Sequence, residues 1–259
     1  MPLRFPAKHP SAYQHLTPVI AHRGASGVAP ENTAAAIELA AKQGAHWAEV
    51  DVTISIDGIA VIFHDNDVNR CTDGRGLVIQ QTLAQLKTLD AGSWFSPFYA
   101  NQRILTLTDL LALANQLELN LNLEIKPTIG REVETVWAMA KALQQVPFEH
   151  TLLFSSFNML ALIAAKQHLP EITRALNVEA IPRDWQQRLE DTGSTGLHFA
   201  ADFFDPVAVA DIHAAGTPMA VYTVNDHETA QKLWRAGVQA VFTDYPERLL
   251  LLPLPTDHH

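Results

Sequence analysis

The sequence predicts a closed (β/α)8 TIM barrel. Three observations carry that prediction: a chain of 259 residues, strict alternation of short β-branched runs with longer Ala/Leu-rich stretches, and eight runs of parallel-strand type. Such a barrel takes about 250 residues as one unit, so a single domain spanning residues 1–259 is expected. Apolar residues make up 47% of the chain and charged residues 18%, which fills a core and excludes wholesale disorder. A doubly wound open sheet shares the alternation and stands as the alternative architecture.

In chain order, Pro18–Arg23 reads as a strand and Asn32–Gln43 as a helix that Gly44 ends. His46–Thr53 is the second strand, and Asp57-Gly58 makes a tight turn into Ile59–His64, a strand-turn-strand extension. Residues Asn66–Ile104 break the rhythm with Gly74, Gly76, Gly92, Pro97 and the aromatics Trp94, Phe95, Phe98 and Tyr99. They read as a small insertion after the second barrel strand, packed on the main fold, because a linker would lack the aromatics. Leu107–Gln116 is then helical and Leu119–Lys126 a strand, followed by helix Arg131–Gln145, strand Thr151–Ser156 and helix Met159–His168. Thr173–Val178, Gly196–Ala200, Pro218–Thr223 and Gln239–Thr243 complete the strands, with helices at Asp184–Glu190, Pro206–Ala215 and Asp226–Ala236.

Lys and Arg number 18 against 28 Asp and Glu, a formal net charge of −10. A chain this acidic lacks the cations that neutralise nucleic-acid phosphates or anchor a protein to anionic lipid, so neither partner is expected. The N-terminal MPLRFPAKHPSAYQHLTP interrupts with Pro and His the apolar run a signal peptide needs, and no segment approaches the roughly 20 apolar residues of a membrane span. One cysteine, Cys71, excludes an internal disulfide framework. Cytoplasm is the default location. No repeat or heptad marks an interface between copies, so oligomeric state is not legible.

Barrel chemistry collects at the C-terminal ends of strands. Here those ends read His22-Arg23, Glu49-Val50-Asp51, His64-Asp65, Glu124-Ile125-Lys126, Ser155-Ser156-Phe157, Tyr222-Thr223-Val224-Asn225 and Thr243-Asp244. Glu49 and Asp51 are two apart on a strand and face one side, while Val50 and Val52 face the other. Two carboxylates forced together repel unless a cation holds both. Glu124 adds a third at the end of another barrel strand. Three oxygen ligands without a cysteine partner point to a hard cation, Mg²⁺ or Ca²⁺. A solitary E-x-D is commonly a surface ion-pair partner; three carboxylates and two histidines on consecutive strand ends favour a site.

Imidazole titrates near neutrality, so His22 and His64 can supply a base and an acid for one displacement. Arg23 can clamp a phosphate or carboxylate through its planar fork, and Lys126 adds a point charge on the face of Glu124. Pairing with the acidic residues is the blander role for both. His198, on another strand end, is the further histidine worth following. No G-x-x-x-x-G-K-[ST] or G-x-G-x-x-G cradles a nucleotide, and Ser155-Ser156 lacks the glycines of a nucleophile elbow.

Taken in order, AHRG at 21–24, APENT at 29–33, the E-x-D of Glu49 and Asp51, HD at 64–65, LDAGSWFSP at 89–97, EIKP at 124–127, SSF at 155–157, VYTVN at 221–225 and TDYP at 243–246 form one pattern. From about Val19 to about Leu249 the sequence resembles the glycerophosphodiester phosphodiesterase family, and is most similar to its bacterial cytoplasmic members. The resemblance implies a (β/α)8 barrel with a small insertion after the HD element. It implies a divalent cation on Glu49, Asp51 and Glu124, His22 and His64 as the acid/base pair, and Arg23 and Lys126 on the phosphate. It gives Glu31 a supporting place beside the substrate phosphate, although a carboxylate just before a helix also favours the helix N-terminus. The implied substrate is a small glycerophosphodiester, hydrolysed to glycerol 3-phosphate and an alcohol such as choline or ethanolamine. Cys71 stands where the family usually has Ser or Thr, which leaves the catalytic set untouched. Ala200 and Ala201 replace expected polar residues and alter the alcohol-binding side.

Two other functions fit the same residues less well. Related barrels act on lysophospholipids, but the sequence carries no amphipathic lid or basic interfacial helix. A non-catalytic barrel that merely binds phosphodiesters would usually have lost a metal carboxylate or a catalytic histidine, and neither is missing.

Overall fold

The structure, a computed structural model, describes residues 11–251. Met1–Pro10, part of the N-terminal stretch read for a signal peptide, and the His258-His259 tail lie outside the described residues. The strands are β1 (Val19–His22), β2 (Trp47–Ile54), β3 (Ala60–Ile62), β4 (Asn120–Ile125), β5 (Leu152–Ser156), β6 (Thr173–Val178), β7 (Gly196–Ala200), β8 (Met219–Tyr222) and β9 (Ala240–Thr243). Between them run α1 (Ala34–Lys42), α2 (Leu83–Leu86), α3 (Leu107–Gln116), α4 (Glu132–Gln145), α5 (Met159–His168), α6 (Trp185–Thr192), α7 (Pro206–Ala214) and α8 (His227–Arg235), with α9 (Pro246–Leu250) after the last strand.

Eight of the strands are parallel neighbours in the order β1-β9-β8-β7-β6-β5-β4-β2, and β1 also pairs with β2. That last pairing closes the ring and separates the barrel from an open sheet. β3 is antiparallel to the far end of β2, with Val52 opposite Ile62 and Ile54 opposite Ala60. The turn between them places Gly58 at φ 73°, a conformation that costs glycine nothing.

Pleating decides which residues enter the lumen. Val19, Ala21, Ala48, Val50, Val52, Leu121, Leu123 and Ile125 point outward into the apolar layer under the helices. Ile20, Trp47, Leu153, Ala175, Ala220, Ala240 and Phe242 point inward and fill the lower lumen. The same inward parity delivers His22, Glu49, Asp51, Glu124 and Asn177 to the upper lumen. Register sets their height, with His22 opposite Glu49, Asp51 opposite Glu124, and Glu124 opposite Ser155.

The lumen is stoppered from below. A single helical turn, Ala12–Gln14, lies against the starts of β6 and β7. The Tyr13 hydroxyl sits 3.0 Å from His198 Nε2, and the Ala12 amide donates to Thr173 Oγ1 at 3.0 Å. A Cβ at Gly196 would lie 2.1 Å from the Tyr13 hydroxyl, so this strand start must be glycine.

Between β3 and α3 the chain is held by an apolar cluster of its own, comprising Val61, Phe63, Val68, Cys71, Val78, Leu86, Ala91 and Ile104. The aromatics that suggested packing are placed differently. Phe98 is 86% exposed and Trp94 37%, whereas Phe95 and Tyr99 are half-buried and pack edge-to-face, so the aromatics are shared between the segment's surface and its packing. Tyr99 ties it to the β1–α1 loop by donating to the Val28 carbonyl at 3.0 Å. Among the described residues, no helix is long and apolar enough to cross a membrane.

Candidate active site

The mouth of the barrel opens into a cleft of about 160 Å³ whose walls include His22, Arg23, Glu49, His64, Glu124 and Lys126. Glu49, Asp51 and Glu124 each offer an oxygen within 4.8 Å of the others. Glu49 is 3% exposed and Asp51 1%. Burial, then the charges of Asp51 and Glu124, push the Glu49 carboxyl well above its ordinary range. Burial and Asp51 push Glu124 up to about 7. Burial also acts on Asp51, but Arg23, His64, Lys126 and the Asn32 amide outweigh it and leave Asp51 below its usual range. Glu49 Oε1 is buried with no hydrogen-bond partner. An all-oxygen set short of positive charge, with an orphaned carboxylate oxygen, fits a hard divalent cation.

Asn32 secures the central ligand. It takes a left-handed backbone, φ 59°, and its side-chain amide donates to Asp51 Oδ2 at 2.8 Å while its Oδ1 accepts the Asp51 N–H at 3.2 Å. Arg23 is left-handed too, at φ 56°. Its backbone N–H reaches Glu49 Oε2 at 3.0 Å, its Nη1 donates to Glu31 at 2.8 Å, and its Nε stands 3.3 Å from Asp51. Gly24 follows at φ 83°, and a Cβ there would come within 2.6 Å of the Ala36 backbone. Such strained pairs persist where surrounding contacts fix them. Lys126 Nζ lies 3.3 Å from Glu124 and 3.8 Å from Asp51. Asn177 donates to the other Glu124 oxygen at 3.1 Å.

Each histidine is held by a carboxylate. His22 Nδ1 is 2.7 Å from Asp244 Oδ1, and Asp244 also accepts from Ser26 Oγ at 2.9 Å and Asn225 Nδ2 at 2.7 Å. Burial raises the Asp244 carboxyl, but the bonds from His22, Asn225 and Ser26 bring it down to about 2. His64 Nδ1 is 2.6 Å from Asp65 Oδ1, and Arg70 holds Asp65 well below its ordinary range. An ionised carboxylate only accepts, so each Nδ1 carries the proton and each Nε2 is left for the cleft. His22 Nε2 is 4.0 Å from Glu49 Oε2.

All eight residues singled out in the sequence therefore meet at one mouth. Two details differ from expectation. β3 stops at Ile62, so His64 stands on irregular chain two residues beyond the strand. Glu31 does not serve the start of α1, which Thr33 caps; it bridges Arg23 and Arg70. His198 is buried against Tyr13 and Phe242, and burial holds its pKa down to about 3. Burial pushes the Cys71 thiol up to about 12, which makes it a poor nucleophile. Asp244, Asn225, Asn32, Asn177 and Arg70 carry site contacts that sequence reasoning did not assign. Asp244 and Asn225 were visible as polar strand ends, and Asn32 stood inside APENT.

Comparison with known proteins identifies the lineage. The profile of the glycerophosphoryl diester phosphodiesterase family matches residues 22–248. A glycerophosphodiester phosphodiesterase of Caldanaerobacter subterraneus subsp. tengcongensis is 34% identical over 237 residues, covering 91% of this chain and 97% of that one. A solved phosphodiesterase of Oleispira antarctica, in complex with the product sn-glycerol-3-phosphate, is 49% identical with a TM-score of 0.91, covering 93% of this chain and 98% of that one. The glycerophosphodiester phosphodiesterase of Thermotoga maritima is 25% identical with a TM-score of 0.72, covering 92% and 99%.

Proposed function

The chain belongs to the glycerophosphoryl diester phosphodiesterase family, and from that premise we propose that it hydrolyses glycerophosphodiesters such as glycerophosphocholine or glycerophosphoethanolamine to glycerol 3-phosphate and a free alcohol. The observation that most supports this reading is the convergence of two carboxylate-held imidazoles and three carboxylates on one cleft. The glycerol 3-phosphate bound in the Oleispira antarctica relative agrees with it.

Glu49, Asp51 and Glu124 would hold one divalent cation, Mg²⁺ or Ca²⁺. When bound, it offsets the charge of the phosphodiester and of its more negative transition state. Arg23 and Lys126 line the same cleft and add fixed positive charge on the phosphate; Glu31 holds the Arg23 guanidinium in place. Burial lowers the Arg23 pKa, but Asp51, Glu31 and Glu49 more than restore it, so Arg23 stays charged. One imidazole takes a proton from the attacking oxygen at its free Nε2. The other, protonated, gives one to the departing alkoxide, a poor leaving group on its own. The attacking oxygen is that of water or of the substrate's own glycerol 2-hydroxyl. Buried, unpaired Cys71 suits a reducing compartment and a cytoplasmic protein.

The test is product analysis by phosphorus NMR on a panel of glycerophosphodiesters, with Mg²⁺ and Ca²⁺ in turn. Glycerol 3-phosphate should appear only with metal, vanish with a chelator and return on re-addition. A transient cyclic phosphate would identify attack by the glycerol hydroxyl. Hydrolysis indifferent to metal would remove the three carboxylates from the mechanism. Exposed Phe157, in the cleft wall just after β5, and exposed Phe203, just after β7, favour a second reading with an apolar alcohol arm. Faster turnover of lysophosphatidylcholine than of glycerophosphocholine would select it.

A further inference from the structure

We propose that Arg70 is a positioning residue that locks the His64–Asp65 dyad to the phosphate-binding arginine, Arg23. The proposal rests on the acid/base reading of His64 given above. Arg70 uses its whole planar fork. Nε donates to Asp65 Oδ2 at 2.7 Å and Nη2 to Asp65 Oδ1 at 3.0 Å. Nη1 donates to Glu31 Oε2 at 2.7 Å and Nη2 to Glu31 Oε1 at 2.8 Å. Glu31 Oε1 in turn accepts from Arg23 Nη1 at 2.8 Å. One continuous chain of charge-assisted bonds thus runs His64, Asp65, Arg70, Glu31, Arg23.

The dyad needs that chain because nothing regular holds it. His64 and Asp65 follow β3 on irregular backbone, between the Phe63 N–H bond to the Asp51 carbonyl and the Asp67–Leu77 bridge, and no ladder bond orients either side chain. A bidentate fork fixes the plane of the Asp65 carboxylate, and the carboxylate then fixes the His64 ring. The second bidentate pair carries the same alignment across to Glu31, so the imidazole and the phosphate clamp keep one relative geometry. A lysine at position 70 would supply the charge without the plane. Arg70 Nη2 donates to the same Asp65 Oδ1 that meets His64 Nδ1, and Arg70 acts on the reaction through that carboxylate.

The experiment compares wild type with Arg70→Met, Arg70→Lys, Asp65→Asn and the Arg70→Met/Asp65→Asn double variant, on glycerophosphocholine with Mg²⁺. Arg70→Met should lower kcat by about 10- to 100-fold, part of the 10²–10⁴ that an acid or base group contributes, with KM nearly unchanged. Arg70→Lys should recover little of it, and the double variant should be no slower than the slower single variant. Nitrogen NMR of the His64 ring should change from the Nδ1–H form in wild type to a mixture of tautomers in Arg70→Met. Wild-type kcat in Arg70→Met with a lowered Tm would reduce Arg70 to a surface tie and overturn the proposal. Full activity in Arg70→Lys, multiplied losses in the double variant, or an unchanged ring spectrum would overturn it as well. Should Arg70→Met fail to fold, the lysine variant carries the same kcat and spectral comparison. The ring spectrum needs no substrate, so a failed assay and a failed inference are told apart.

Discussion

The two histidine dyads look alike in chemistry and are built by opposite means. His22 ends β1, and Asp244 stands one residue past β9, its neighbour in the ring. Both inherit their positions from the parallel ladder, and Asp244 is trimmed by neutral donors, Ser26 and Asn225. His64 and Asp65 are adjacent in sequence, stand outside the ring, and depend on the charge and shape of Arg70. Backbone pairing supplies alignment on one side and an ionic fork supplies it on the other. The lesson is that residues at or just past a strand end take their alignment mainly from the ladder, whereas a dyad farther from it takes its alignment mainly from side chains.

Removing either imidazole is the severest test of that comparison. His22→Ala and His64→Ala should each lower kcat by about 10²–10⁴-fold, with the barrel intact by circular dichroism. Near-normal turnover in both would discard the acid/base pair, and in one alone would show that the two dyads are not partners.

Changing the carboxylates sharpens the contrast. Asp244→Asn and Asp65→Asn should each cost roughly 10- to 100-fold in kcat, as loss of ring orientation does at other functional histidines. The loss should be greater at Asp244, where no guanidinium remains to hold an amide oxygen in place. Equal losses would mean that the manner of support does not matter.

His198 provides the control, a lumen histidine that belongs to neither dyad. Burial holds its folded-state pKa near 3, below the ordinary 6.5, so the unfolded chain takes up a proton that the fold refuses. Its contribution to stability is complete above pH 6.5 and declines as pH falls toward 3. At one proton, about 1.4 kcal/mol per pH unit, wild type should lose about 2 kcal/mol more than His198→Gln between pH 7 and pH 5 in urea unfolding. Parallel curves would show that this ring is not kept neutral.

Strand-end parity made Glu49, Asp51, Glu124 and His22 legible, because alternation and position on a strand are local properties of the chain. The barrel itself was less so. Its decisive pairing, β1 with both β2 and β9, joins residues far apart in sequence, and an open sheet has the same alternation. Asp244 could be seen as a polar strand end, but its bond to His22 spans 222 positions and exists only after closure. Arg70 left no periodic trace, since it lies where no helix or strand repeats. His64 was read as the end of the extension strand Ile59–His64, and although that strand stops at Ile62 the residue still reaches the mouth.

The Tyr13 stopper beneath the lumen has a consequence for traffic. Among the described residues the floor is closed at Tyr13, so under the hydrolysis proposed above both fragments would depart by the route along which the intact molecule arrived. Threshold side chains such as Phe157 would then meet every molecule that enters or leaves.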